Sequence, residues 1–456
     1  MVFAFLTFRP REDRLSAADR AGLRARRLAV RLLTGVLKQR RPFDEVWERA
    51  GEDAQFSGLE PRDRAFARAI TMTALRRTGQ LRAIIARFIE KPLPPARGSL
   101  DEILLAASAQ LVFLKSAPHA VINLAVHQVR EDAGARRFHR LANAVLRRVS
   151  EQGDALAAQQ DAAEMNTPAW LWQRWRETYG ADTAHRIAAQ HLAEPPLDLT
   201  VKSAPERWAE RLGGIVLPTG SVRLAAKGRI EELEGYGDGE WWVQDAAAAL
   251  PARLMGNVAG KHVADLCAAP GGKTAQLAKA GAKVVAVDLS AQRMARLKAN
   301  LARLELEAEF QIADAGAWVP HELLDGVLLD APCTATGTIR RNPDVAHLKT
   351  ADDVTELAGL QRRLITHALS MLKPGGMLVY CTCSLEPGEG ARQIARLLEE
   401  RGDVTLSPIQ PEELAGRSEW LDERGALRTL PHDLQLSDPE LSGMDGFYAA
   451  RVIKSN

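Results

Sequence analysis

The sequence predicts a multi-domain chain in which an all-α bundle precedes a doubly wound α/β domain, with a small α+β segment bridging the two. Three observations predict it. From residue 18 to 150 apolar residues recur at helical spacing and no strand pattern intrudes. From His262 to Asp330 short apolar runs alternate with helical stretches. Two further runs, Val327-Leu328-Leu329 and Met377-Leu378-Val379-Tyr380, read as strands covered on both faces, and a cysteine follows each. A chain of 456 residues also exceeds one ordinary core. The expected divisions are an N-terminal extension over 1–17, a helical domain over 18–150, a linker over 151–165, the bridging subdomain over 166–240 and the α/β domain over 241–456.

The net charge of +2 conceals an asymmetry. Residues 1–150 carry 28 Lys+Arg against 15 Asp+Glu, a net +13, while the remainder carries 32 against 43, a net −11. A basic module joined to an acidic one points to a polyanionic partner, nucleic acid first among them, although an Arg-rich solvated helical surface has the same composition. No apolar run has membrane-span length, so no membrane partner is expected. The opening Val2-Phe3-Ala4-Phe5-Leu6 has its charges behind it, which is not the order of a signal peptide. Four cysteines in so long a chain do not build a disulfide framework, and a reducing cytoplasm is the expected location.

In the first third, Ala25, Ala29, Leu32, Leu33 and Val36 line one face of a helix that interleaves Arg24, Arg27 and Arg31. Phe66 to Ala74 and Leu81 to Phe88 repeat the pattern until Pro92, Pro94 and Pro95 break it. Ser99 and Glu102 have capping-box spacing ahead of Ile103 to Leu114, and Pro118 opens another helix. Residues Glu151 to Glu164, rich in Ala, Gln and Asp, read as a linker with helical tendency. Asn166-Thr167-Pro168 is expected to start a helix whose Trp170, Leu171 and Trp175 share a buried face. Leu197, Leu199 and Val201 then alternate as in a strand.

The α/β domain opens with strand Val263 to Leu266, followed by a tight turn of small residues, Cys267-Ala268-Ala269-Pro270-Gly271-Gly272-Lys273, and a helix from Thr274. Small side chains there let a ligand touch the backbone at the helix amino end. The next strand ends at Asp288, where an acid can bind ribose hydroxyls, and Phe310-Gln311-Ile312 leads to Asp314, which can accept from an adenine amino group. Gly272-Lys273-Thr274 resembles the end of a phosphate-binding loop, but the glycine such a loop needs is Cys267. The dinucleotide pattern G-x-G-x-x-G is also missing. A nucleoside ligand without phosphates fits better, and S-adenosylmethionine is the common one.

DLCAAPGGKT, VVAVDLS, LLDAPCTATGTIRRNPDV, YCTCSLEPGEG and MDGFYAARV together resemble, in order, the motifs of RNA cytosine-C5 methyltransferases of the RsmB/NOL/Sun type. APHAVINLAV and FHRLANAVLRR resemble stretches of NusB-like RNA-binding domains, leaving Asn143 either as an RNA contact or as a helix pin. The resemblance implies a NusB-like bundle, a Rossmann-like class I methyltransferase domain, S-adenosylmethionine as cofactor, and RNA as partner, 16S ribosomal RNA in particular. It further implies that Cys267, Ala268, Ala269, Pro270, Gly271, Gly272, Lys273, Asp288, Asp314 and Asp330 line the cofactor site.

Cytosine carbon 5 is a poor nucleophile until a thiolate adds at carbon 6 and makes it enamine-like. The resemblance implies that Cys383 attacks, that Cys333 assists release, and that Asp330 polarises N3 after a raised pKa or a protonation on binding. Without the resemblance the cysteine roles could be reversed. Lys273, Arg340 and Arg341 are candidates for holding phosphates or lowering a thiol pKa. Cys267 and Cys381 are expected to be buried small hydrophobes, Cys381 turned away from Cys383 by strand alternation. No metal is expected, since Cys381 and Cys383 lack a second pair for a zinc site. His347 stands where many relatives carry tryptophan, Cys381 where a small residue is usual, and an alanine replaces a serine after Gln244-Asp245-Ala246. A monomer is expected. The alternative is an antitermination-type RNA-binding factor with an inactive methyltransferase domain, which would transfer no label from the methyl donor to RNA.

Overall fold

A computed structural model describes residues 17–225 and 228–455. Residues 1–16 of the expected extension, with the Val2 to Leu6 run, lie outside the described residues. The chain divides into two compact units, one reaching to Pro168 and one beginning at Ala169.

The first unit holds eight α-helices among its described residues: α1 (Ala17–Leu37), α2 (Phe43–Glu52), α3 (Pro61–Arg76), α4 (Thr78–Arg87), α5 (Leu100–Val112), α6 (Pro118–Glu131), α7 (His139–Ala158) and α8 (Ala162–Asn166). Helix α5 is apolar around most of its circumference, so it fills the centre and packs against α1, α3, α4, α6 and α7. On α1 the five apolar positions are buried, and the arginines between them reach neighbouring loops and helices: Arg24 donates to Gln55 O at 2.9 Å, Arg31 pairs with Asp53 at 2.7 Å, and Arg27 pairs with Glu131.

Two local expectations are corrected here. Ser99 precedes α5, but its side chain makes no cap; its N–H goes to Asp132 and buried Glu102 pairs with Lys38 at 2.7 Å, because charge-assisted partners outcompete a neutral cap. Most of residues 151–165 is helix, in line with their helical tendency. Gly153 permits it, since a Cβ there would come within 2.7 Å of Val112 on α5. Asn166 ends α8 rather than opening the next helix, and its side chain is bound to Gln80 at 2.9 Å.

The second unit begins with α9 (Ala169–Tyr179) and α10 (Ala181–His191), on which Leu171 and Trp175 are buried as their spacing requires. A small antiparallel sheet follows in the order β2-β3-β1-β4, from β1 (Leu197–Val201), β2 (Ile215–Val216), β3 (Val222–Leu224) and β4 (Trp241–Val243), with α11 (Pro205–Leu212) against it. Arg223 on β3 is buried and makes a two-pronged bond to Asp198 on β1, at 2.6 and 2.7 Å, while its third nitrogen donates to the carbonyls of Leu441 and Gly443. One guanidinium thereby ties the small sheet to the carboxyl-terminal loop.

After α12 (Leu250–Arg253) come β5 (His262–Leu266), α13 (Gly272–Lys279), β6 (Lys283–Asp288), α14 (Ala291–Arg303), β7 (Glu309–Ile312), β8 (Leu324–Asp330), α15 (Val345–Leu348), α16 (Ala351–Ser370), β9 (Leu372–Thr382), α17 (Ala391–Glu400), β10 (Val404–Leu406), β11 (Leu427–Thr429) and β12 (Phe447–Lys454). The large sheet runs β10-β12-β9-β8-β5-β6-β7, parallel from β9 to β7, with β12 antiparallel to β9 and β11 beside β12. Alternation sorts its side chains: Val327, Leu329, Leu378 and Tyr380 pack towards α16 and α17, whereas Leu328, Val379 and Cys381 pack towards α12 and α13. The order reverses between β5 and β8, and that crevice above the strand ends is where such sheets take ligands.

Removing Asp198 leaves the Arg223 charge buried and unpaired. Asp198→Ala should cost about 3–5 kcal/mol, read by urea denaturation through tryptophan fluorescence, because eight of the nine tryptophans lie in the second unit.

Candidate active site

The parallel register of β8 and β9 sets Asp330 opposite Cys381, and the chain continues from both strand ends into the crevice. Cys333 is three residues beyond the first partner and Cys383 two beyond the second, so their sulfurs meet at 3.5 Å. Both are partly exposed. The hydrogen bond with Cys383, together with burial, pushes the Cys333 thiol well above its ordinary range. Gly337 holds the loop after Cys333 against Cys383, donating its N–H to the Cys383 carbonyl at 2.9 Å and accepting from Gly446 at 2.9 Å. A Cβ at Gly337 would lie 2.0 Å from the Gly446 carbonyl, so the approach requires glycine.

The small-residue turn follows β5. Cys267 takes a left-handed φ of 61° and Gly271 one of 100°, where a Cβ would meet Leu297 at 2.7 Å. The turn therefore lies close over α14 and leads into the amino end of α13 at Gly272. Asp288, buried at the end of β6, accepts the N–H groups of Ala269 at 3.1 Å and Ser290 at 3.0 Å, one on each oxygen. Arg293 stands 3.6 Å from one of those oxygens, and a carboxylate has about four lone-pair sites, so there is capacity left for a hydroxyl donor. Leu289 is 73% exposed and Ile312, paired in register with Asp288, is 55% exposed. Two bare apolar side chains beside two carboxylates, Asp288 and Asp314, fit a nucleoside: acceptors for sugar and amine, flat apolar contact for a base. Asp314 accepts from Gly316 at 2.8 Å with its other oxygen left over. A cavity of about 430 Å³ runs from Lys273, Asp330 and Arg341 past Gly272 to Trp242.

Some expected roles change. Lys273 is not an exposed phosphate ligand: it is buried, 2.8 Å from Asp330, and lies over the Phe447 ring. The Asp330 charge keeps its ammonium protonated against burial. Arg341 is bound in two-pronged fashion by Asp445, and Arg340 is buried with one nitrogen 3.4 Å from the Glu194 carbonyl, so neither is arranged as a surface phosphate clamp. Cys381 does not face away from Cys383. Residues two apart on a strand share a face, and both cysteines pack on the α12/α13 side, the Cys381 sulfur 3.6 Å from Asp330. Cys381 is fully buried, and burial pushes its thiol well up; Cys267 is only partly buried, its thiol raised to about 12 by burial and then by Asp330, Asp288 and Asp265.

Sequence reasoning missed Glu386 and Glu389, both wholly buried in the loop after Cys383. Glu386 accepts from Arg174 at 2.6 Å and Trp175 at 3.1 Å, which anchors that loop to α9. Acids in a loop read as solvated; only the fold reveals their partners. His347 is half-buried on α15, and Asn143 half-buried on α7. Among the described residues no group of His, Cys, Asp and Glu could hold a metal ion, and no helix is long and apolar enough to cross a membrane.

Residues 253–453 match the family model of 16S rRNA methyltransferase RsmB/F, and residues 23–151 match that of the NusB family. The ribosomal RNA small subunit methyltransferase B of Vibrio cholerae is 34% identical over 419 residues, covering 87% of this chain and 91% of that protein. Its counterpart in Xanthomonas campestris is 34% identical over 407 residues, covering 85% and 91%. In fold, the crystal structure of PH0851 superposes with a TM-score of 0.72 at 23% identity, covering 96% of this chain and 100% of that one. A methyltransferase homolog from Pyrococcus horikoshii gives 0.50 at 28% identity over 62% and 93%. Motifs, sheet order and relatives agree along most of the length, and the chain belongs to the RsmB/F family of 16S rRNA methyltransferases, with a NusB-family domain in front.

Proposed function

We propose that this methyltransferase acts on carbon 5 of a cytosine in 16S ribosomal RNA through a transient covalent bond from Cys383. The observation that carries this reading is the pair of thiols 3.5 Å apart at neighbouring strand ends, beside a turn suited to a nucleoside. S-adenosylmethionine is the cofactor and supplies an electrophilic methyl group to carbon 5. The turn from Cys267 to Lys273, with Asp288, Asp314 and Asp330, would hold it.

The chain's own groups do the rest. The Cys383 thiol gives its proton to solvent, the thiolate bonds to carbon 6 as N3 takes a proton from solvent, and carbon 5 becomes an enamine-like nucleophile. Asp330 already accepts from Lys273 on one oxygen and faces Cys381 with the other. Its role towards the base is that of an acceptor, for the 4-amino group and for the N3–H that forms in the adduct. Once carbon 5 is methylated, its proton is lost to solvent, the sulfur–carbon 6 bond breaks, and the N3 proton departs as the aromatic ring is restored. Cys333, carrying its proton, donates a hydrogen bond to the departing Cys383 thiolate and so assists release. A target base must leave its stack to reach such a crevice.

What supports an RNA partner for the NusB-family unit is its charge, a net +13 over residues 1–150.

Two outcomes test the reading. Cys383→Ala should abolish methyl incorporation into 16S RNA, whereas Cys333→Ala should accumulate a protein–RNA adduct that survives denaturing electrophoresis; an adduct that needs Cys333 instead reverses the roles. RNA affinity should fall about a thousandfold between roughly 50 and 200 mM salt if some six phosphates are contacted, and a flat salt dependence removes the basic unit from RNA binding.

A further inference from the structure

Behind the two cysteines lies a carboxylate that the chemistry above does not use. Glu389 is wholly buried, and each of its oxygens receives hydrogen bonds from elsewhere in the fold. One oxygen accepts the Thr334 N–H at 2.9 Å and the Gln361 amide at 3.1 Å; the other accepts the Ser384 hydroxyl at 2.6 Å and the Thr334 hydroxyl. Thr334 is the residue after Cys333, and Ser384 is the residue after Cys383. Gln361, on α16, also donates to the Pro332 carbonyl at 2.9 Å, just before Cys333. Burial pushes the Glu389 pKa up, and the hydrogen bonds from Ser384, Thr334 and Gln361 work against that push in favour of the ionised form.

We infer that Glu389 is a positioning residue that holds both cysteine loops in one register and decides which thiol gives up its proton first. The inference rests on the cysteine roles given above and adds their cause. Charge around the pair is polarised. On the Cys333 side stand Glu389 and, from β9, the hydroxyl of Tyr380, which is itself bonded to the Glu389 carbonyl at 2.6 Å. On the Cys383 side stands Arg341, held in a two-pronged pair by Asp445, with Asp245 behind it. Below the pair, Lys273 and Asp330 offset one another, with buried Cys381 and Asp265 beneath them. A negative charge buried beside Cys333 disfavours a thiolate there, so Cys333 keeps its proton. Cys383 is thereby left as the nucleophile and Cys333 as the thiol donor that its departure needs.

Site-resolved alkylation of the full-length protein with iodoacetamide, read by peptide mass spectrometry across pH, tests this without RNA or methyl donor. In the wild type Cys383 should react first and Cys333 only at higher pH. Glu389→Gln, which keeps the shape and removes the charge, should move the Cys333 inflection to lower pH and raise its rate relative to Cys383 by about tenfold, the equivalent of one pKa unit. An unchanged ratio in Glu389→Gln overturns the proposal, even if methylation is lost. If that variant does not fold, the wild-type profile alone decides: Cys333 ionising before or together with Cys383 overturns it. A normal alkylation order in a protein that never methylates 16S RNA would instead count against the function proposed above.

Discussion

The hydrogen-bonded register between two parallel strands, β8 and β9, is the constraint on which the site depends. Asp330 lies opposite Cys381, and from that pairing the positions of both reactive sulfurs follow within two or three residues of chain. A shift by one residue would turn Cys381 and its neighbours to the other face of the sheet. The register is fixed from both sides, by apolar side chains that face α16 and α17 in one layer and α12 and α13 in the other. Beyond the strands the backbone takes over: Ala331 donates to the Cys381 carbonyl and Gly337 to the Cys383 carbonyl, both at 2.9 Å.

The loops that carry the sulfurs would be free without further ties, and the ties are buried acids. Glu386 fixes the Cys383 loop to α9, and Glu389 fixes it to the Cys333 loop. Such ionic groups are costly to bury, and each here is compensated by several donors. On the other side of the crevice the buried Arg223–Asp198 pair reaches Leu441 and Gly443 and brings the small sheet to the same region. The helices and small sheet that precede the large sheet thus brace the site; they are not a mere connection.

Local features of this arrangement were legible in the sequence. Strands, turn and acids in the α/β part announce themselves within a few residues: Val263 to Leu266 ahead of the small-residue turn, Asp288 at a strand end, and cysteines after two apolar runs. Features decided by distant partners were not. Ser99 and Glu102 have the spacing of a cap, but Asp132 and Lys38, far away in the chain, claim them. Lys273 reads as a candidate for holding a phosphate or lowering a thiol pKa, and only the fold shows Asp330, 57 residues on, beside it. Arg341 and Asp445 are 104 residues apart, and Glu389 and Thr334 are 55 apart, so no window of sequence contains either pair. The misplacement of Cys381 had a different origin, since the two-residue period of a strand places it on the same side as Cys383.

The central claim is that sulfur from Cys383 bonds to carbon 6 of the target base. The most direct measurement uses 16S RNA containing 5-fluorocytosine, whose carbon 5 cannot lose fluorine as a proton is lost, so that the covalent stage persists after methyl transfer. Digestion and mass spectrometry should find the nucleotide attached to the peptide that contains Cys383. Attachment at Cys333, or methyl transfer to normal RNA with no attachment to the fluorinated one, would contradict the account.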